Sequence, residues 1–255
     1  MATIAIGDIH GNLPALEDLL SKVLPELYEG DHLVFLGDAI DRGPDARGCI
    51  ERILHCKSET RAAVTALMGN HEHWMLESMN DHTRHSWILA MDAFDTIGSY
   101  SDEAANVLRN ALKSAGVRLI KYKVRLPYDV FFNALPKTHL DFLYQLRPYL
   151  KTPDVICVHA GVALDGIILE TQSPDSFFWG VNGFPRGYHG PDPVVYGHWD
   201  NAVYHNKWPS PNIGLNHTHG LDSIASGVLT AMRFPDRKIY QSARFNVTGQ
   251  GLWVE

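Results

Sequence analysis

Five short, largely apolar runs in this sequence each stop at a glycine or at a side chain able to hold a metal ion. That repeated ending constrains the fold more than any other feature. The runs are residues 3–6 before Gly7-Asp8, 32–36 before Gly37-Asp38, 63–68 before Gly69-Asn70, 155–158 before His159, and 194–196 before Gly197-His198. Runs this apolar read as strands buried on both faces. Between the first two, Leu16, Leu19, Leu20, Val23 and Leu24 recur with a helical period over residues 13–27, and Pro14 suits the first turn. Between the second and third, Ile50, Ile53 and Leu54 do the same over 46–55. Strand, helix, strand, helix, strand predicts parallel strands with their carboxyl ends along one sheet edge, so the polar terminators face one crevice.

Residues 73–150 carry mostly helical patterns, around 87–97, 103–115 and 139–150, and are expected to form a helical insertion over the site within a single domain spanning 1–255. Residues 228–234 and 239–241, joined at Pro235-Asp236, read as a hairpin expected in a second sheet packed on the first. Trp74, Trp87, Phe94 and Phe142 recur at helical spacing and are expected in the core. With 45% hydrophobic and 20% charged residues, disorder and fibrous repeats are excluded. Cys49, Cys56 and Cys157 have no CxxC spacing, which argues against a disulfide framework or thiolate zinc site. No apolar run approaches the ~18 residues that span a bilayer, and the start lacks a leader-like pattern. The expectation is a cytoplasmic protein with no membrane partner.

The strand ends carry the chemistry. Asp8 and His10 sit two apart on a turn, Asp38 can bridge two cations with its two oxygens, Asn70 offers a neutral carbonyl, and His159 and His198 offer imidazoles. Any one of these reads equally well as a satisfied polar residue; six donors at five successive strand ends do not. Mixed N and O donors without thiolate suit manganese, iron or zinc better than calcium. One ion is expected at Asp8, His10 and Asp38, the other at Asp38, Asn70, His159 and His198. Such a pocket is positive inside a chain of net charge −7, so it should draw in an anion, and two metals ~3.5–4 Å apart suit in-line attack on phosphorus. Arg42 can grip phosphate oxygens with two parallel donors. His71, next to a ligand, is placed to protonate the leaving group, with Asp41 orienting it. Glu72 is expected to cap backbone amides.

The series Gly7-Asp8-Ile9-His10-Gly11, Gly37-Asp38-Ala39-Ile40-Asp41-Arg42-Gly43, Gly69-Asn70-His71-Glu72, His159-Ala160-Gly161 and Gly197-His198 resembles the calcineurin-like metallophosphoesterase superfamily. Within it, the Arg42 motif and Gly69-Asn70-His71-Glu72 resemble the phosphoprotein phosphatase branch, which includes bacterial serine/threonine phosphatases and symmetrical diadenosine tetraphosphate hydrolases. Residues 220–234 resemble that family's closing strands. The resemblance implies a four-layer αββα sandwich, a dinuclear metal centre and phosphoester hydrolysis, with substrate held by Arg42 and Asn70. Two departures stand out. Trp199 follows His198 where relatives usually carry threonine, and the second phosphate-binding arginine is missing at its usual spacing after Trp179, leaving Arg186 as the nearest candidate.

The reading is a dinuclear-metal phosphatase in which a metal-bridging hydroxide attacks phosphorus directly, with no phosphoenzyme. A phosphomonoester, in a phosphorylated protein or a small molecule, leads; a symmetrical dinucleoside polyphosphate is the alternative. Lys113, Arg118, Lys121, Lys123 and Arg125 form a basic run that could serve several phosphates or could be a solvated face; His205, His217 and His219 could line the crevice, although His219 in Thr218-His219-Gly220 reads better as a structural residue before a strand. A catalytically dead scaffold is disfavoured by the intact acid and its aspartate, and a nucleic-acid partner by the negative net charge.

Overall fold

A computed structural model describes residues 1–165, 168–199, 211–214 and 216–245. Along it run β1 (Thr3–Ile6), α1 (Leu13–Val23), β2 (His32–Phe35), α2 (Ala46–Glu59), β3 (Ala63–Ala66), α3 (Asn70–Asn80), α4 (Ser86–Ala90), α5 (Ala93–Tyr100), α6 (Asp102–Ala115) and α7 (Arg118–Lys121). Then follow α8 (Asp129–Phe132), α9 (Lys137–Tyr144), β4 (Tyr149–Lys151), β5 (Ile156–Val158), α10 (Pro174–Trp179), β6 (Val194–Tyr196), β7 (Asn212–Ile213), β8 (Thr218–Gly220), β9 (Thr230–Phe234) and β10 (Ile239–Gln241).

The five apolar runs divide between two sheets, ordered β10-β9-β1-β2-β3 and β4-β5-β6-β8-β7, where one sheet edge was expected. β1, β2 and β3 are parallel, with Thr3 opposite His32 and His32 opposite Ala63. β5, β6 and β8 are parallel in the second sheet. Alternation along each strand builds three cores. Ile4, Ile6, Leu33 and Phe35 face α1, α2 and the helical segment. Ala5, Val34 and Leu36 face the other way, meeting Val155, Cys157, Val195, Met232 and Phe234 between the sheets. Ile156, Val158, Val194 and Tyr196 then face α10 and its flanking loops through Phe177, Phe178 and Tyr188. Three apolar interfaces separate four layers, the αββα sandwich. Both faces of each sheet are covered, which is why the strands carry so little polar alternation.

Four local expectations are corrected. The 228–241 hairpin joins the first sheet, not the second: β9 pairs antiparallel to β1, Ile6 opposite Ala231, and β10 closes the edge. Ala231 faces the helices while Met232 and Phe234 face the second sheet, so β9 needs both coverings. The helix expected through residue 150 stops at Tyr144, because Pro148 removes an amide and disfavours helical geometry at Arg147; Tyr149–Lys151 instead pairs with β5. The 87–97 stretch breaks into α4 and α5 at Asp92, whose φ is +53°. The 13–27 helix ends at Val23 and tightens to a 3₁₀ turn over Leu24–Glu26, where Pro25 has no amide to continue it. Among the described residues no helix is long and apolar enough to cross a membrane.

Candidate active site

Each ligand candidate stands just past the carboxyl end of a parallel strand, where the chain must turn at once. Among the described residues nine non-glycine positions have positive φ, and five of them are His10 (44°), Asp38 (50°), Asp41 (66°), Arg42 (64°) and His198 (60°). Such left-handed backbone is costly for these residue types and concentrates at functional sites. The glycines at the strand ends have a steric reason. A Cβ on Gly69 would fall onto Asp38 Oδ1, and one on Gly197 would fall onto Asp8 Oδ1. Bare backbone lets each carboxylate lie against a neighbouring strand end. Glu72 ties two of those ends together, accepting from the amides of Asp38 (3.0 Å), Ala39 (2.8 Å) and Gly69 (3.1 Å). It caps backbone, as the sequence suggests.

The structure brings the six donor candidates together around Asp38. His10 Nε2 lies 3.7 Å and His159 Nε2 3.4 Å from Asp38 Oδ2, and His10 Nε2 is 3.9 Å from Asp8 Oδ2. Asn70 Oδ1 is 2.9 Å from both His159 Nε2 and His198 Nδ1. Asp8 is seated by the His198 amide, 2.9 Å from Oδ2. Among the described residues two triads that could hold a cation share Asp38: His10, Asp38 and His71, and Asp38, His159 and His198.

The donor set fits divalent cations on its own chemistry. His159 Nδ1 lies 3.0 Å from the Leu36 carbonyl and His10 Nδ1 2.9 Å from that of Ile40. A carbonyl only accepts, which assigns the proton to Nδ1 and leaves Nε2 with a lone pair turned inward. At His159 that lone pair faces Asn70 Oδ1 and Asp38 Oδ2, so three electron-pair donors converge. Burial drives the pKa of His10 and of His159 well below the usual histidine value, and that of His198 down to about 4. Burial, then the charges of Asp222 and Asp38, push Asp8 well above the ordinary carboxylate range. Neutral imidazoles and mutually repelling carboxylates are the state that a bound cation stabilises.

A fourth imidazole behaves differently. Burial opposes charge on His71, yet the Asp38 carboxylate and the Asp41 hydrogen bond outweigh it and raise the His71 pKa. His71 Nδ1 donates to Asp41 Oδ2 at 2.7 Å, and its Nε2 stands 3.8 Å from Asp38 Oδ2. The expected Asp–His pair is therefore assembled. Environments that push like groups apart in pKa are how one site separates ligands from acids. Arg42 is the exposed member of the group, with Nη1 donating to His10 Nε2 at 2.9 Å.

Arg186 is exposed on the loop between α10 and β6, where its carbonyl accepts from Asn216. The 113–125 basic side chains are exposed, and Arg118 donates to the carbonyls of Ser114 and Ala115. His219 is a buried packing residue in β8, its ring 5.3 Å from that of Phe234; His205 lies outside the described residues. Sequence reasoning missed three groups. Asp222 is buried beyond the end of β8, itself a parallel strand, so the strand-end pattern had a further member whose run was too short and polar to register. Trp87 and Thr96 bond Asp41 from α4 and α5, and nothing local signals either.

The family model for calcineurin-like phosphoesterases matches residues 1–227. The chain is 24% identical to bis(5'-nucleosyl)-tetraphosphatase PrpE, asymmetrical, of Oceanobacillus iheyensis, over 93% of this chain and 90% of that one. Serine/threonine-protein phosphatase 1 of Salmonella typhimurium is 33% identical over 33% of this chain and 36% of its own. The crystal structure of a candidate diadenosine tetraphosphatase superposes with a TM-score of 0.58 at 22% identity, covering 96% of this chain and 94% of that chain. Matched along most of its length, the chain belongs to the calcineurin-like phosphoesterase family and is a metal-dependent phosphoester hydrolase.

Proposed function

We propose that this enzyme hydrolyses dinucleoside polyphosphates, cutting diadenosine tetraphosphate asymmetrically to ATP and AMP. The observation that carries the nucleotide reading is an aromatic wall beside His198. Among the described residues three tryptophans gather there: Trp199 has its ring centroid 4.6 Å from that of His198, Trp179 lies 6.5 Å from it, and Trp74 packs 4.4 Å from Trp179. All three are half-buried, and Trp199 is held by Nε1 donating to the Ala160 carbonyl at 2.9 Å. A fixed, partly open indole is a stacking platform for a nucleobase, worth ~1–3 kcal/mol per base. Relatives matching over 93% and 92% of the chain carry the asymmetrical tetraphosphatase name, which supports this cut over the symmetrical one.

Divalent cations held by Asp8, His10, Asp38, Asn70, His159 and His198 would supply an activated water and neutralise phosphoryl charge. The remaining steps belong to side chains. Arg42, exposed at the mouth, grips the phosphoryl oxygens and offsets their charge as the bond breaks. His71, its Nδ1 anchored to Asp41, delivers the proton on Nε2 to the departing phosphate oxygen.

Product analysis after incubation with manganese tests the reading, comparing diadenosine tetraphosphate, a phosphoserine peptide and an aliphatic phosphomonoester. ATP plus AMP from the dinucleotide, with the highest kcat/KM of the three, is expected. In the same assay Trp199→Ala should raise KM for the dinucleotide by about 5- to 150-fold, the equivalent of one lost stack. Turnover of the peptide alone would return the phosphoprotein reading, which the local likeness to the Salmonella phosphatase supports.

A further inference from the structure

We propose that the helical segment between β3 and β4 is part of the acid–base apparatus: Trp87 on α4 and Thr96 on α5 are positioning residues that lock Asp41, and through it the proton-donating geometry of His71. This rests on the reading of His71 as general acid.

Three donors reach the two oxygens of Asp41. Oδ2 accepts from His71 Nδ1 at 2.7 Å and from Trp87 Nε1 at 2.9 Å, and Oδ1 accepts from Thr96 Oγ1 at 2.5 Å. The Thr96 hydroxyl also accepts from the amide of Asp41 itself at 2.8 Å. One side chain therefore pins both the carboxylate and the left-handed backbone that carries it, at φ +66°. Asp41, Trp87 and Thr96 all have 0% exposure, so no water substitutes for a lost donor. Trp87 in turn is fixed by Phe131 and Phe132 of α8, at 5.6 and 6.3 Å.

The consequence is directional. A carboxylate held by Trp87 and Thr96 cannot rotate, so its remaining lone pair points at His71 Nδ1 and holds the imidazole in one plane. Nε2 is then the atom turned to the reaction, on the side of Asp38. With either donor removed, Asp41 can swing and the acid loses alignment while the metal ligands keep theirs. A buried carboxylate that loses a donor also carries an uncompensated cost, which favours such movement.

The test uses Thr96→Val, which removes the hydroxyl at nearly constant shape, with Thr96→Ser as the conservative variant and Trp87→Phe as an independent second site. Each is assayed with manganese on a substrate with a poor leaving group, the dinucleotide or an aliphatic phosphate, and on 4-nitrophenyl phosphate, whose leaving group needs no proton. For Thr96→Val and Trp87→Phe, kcat on the poor leaving group should fall by about 10- to 100-fold, the usual cost of a lost outer-shell partner. KM, bound manganese and kcat on 4-nitrophenyl phosphate should stay within about threefold. Thr96→Ser should recover most of the loss. The downfield proton signal of His71 Nδ1–H should shift in both damaged variants and return in Thr96→Ser.

Equal losses on both substrates in both variants would make the role merely structural and overturn the proposal. So would retention of poor-leaving-group turnover. His71→Asn serves as the control: if it too fails to discriminate between leaving groups, the general-acid reading has failed. If it discriminates and the Thr96 and Trp87 variants do not, only the positioning role falls.

Discussion

At the scale of single residues, the site is defined by what its three buried histidines, His10, His71 and His159, are each allowed to do. His10 and His159 spend Nδ1 on a backbone carbonyl and turn Nε2 inward. His71 uses the same ring atom on a carboxylate instead. The first arrangement leaves a neutral electron-pair donor, the second favours a proton on the ring. His71→Asn should therefore leave bound manganese unchanged while kcat on a poor leaving group falls by about 10²–10⁴. Metal analysis and steady-state kinetics on the same preparation check both halves. Loss of manganese in that variant would move His71 among the ligands, since a ring nitrogen of His71 is also within 4.8 Å of donor atoms of His10 and Asp38.

At the scale of elements, the recurring unit is a strand handing over to a ligand through a bare backbone. Gly197 shows the constraint, because a methyl group there would occupy the place of Asp8 Oδ1, a ligand candidate from a strand of the other sheet. Gly197→Ala should displace Asp8 and cost bound metal while the fold persists. Fewer than two manganese ions per chain with an ordinary far-ultraviolet circular dichroism spectrum is expected; full loading would mean the sheets can part at no cost. The same unit explains what was legible beforehand. Runs ending in glycine or a donor are local, and so are the periods of α1 and α2, so the strands and six donor candidates could be read directly. Partner choice is not local. Thr3 pairs with Phe234 across nearly the whole chain, which no period encodes, so sequence reasoning alone puts the hairpin in the other sheet. Trp87 and Thr96 lie 46 and 55 residues from Asp41, and their spacing reads as ordinary helix packing. Asp222 ends a strand only three residues long that contains a histidine and a glycine, so its run carried no apolar signal.

At the scale of the whole molecule, an acidic protein has to attract the anion of a phosphoester. The formal net charge is −7, and Asp8, Asp38 and Asp222 lie buried at the reaction centre itself. Without cations this is a poor place for phosphate. Arg42 and a protonated His71 face several carboxylates there, and each close charge pair is worth on the order of a few kcal/mol at protein-like dielectric. Cations reverse the sign of the pocket, so substrate affinity and catalysis share one source. A non-hydrolysable diadenosine tetraphosphate analogue, titrated calorimetrically into the manganese-loaded protein and again after chelation and dialysis, should lose well over tenfold in affinity. Raising ionic strength should weaken the loaded complex only modestly, because a buried pocket is screened less than a surface. Affinity unchanged in protein shown by metal analysis to be stripped would locate the anion site elsewhere. The exposed basic side chains between Lys113 and Arg125 are the place it would then go, and there the salt dependence would be steep.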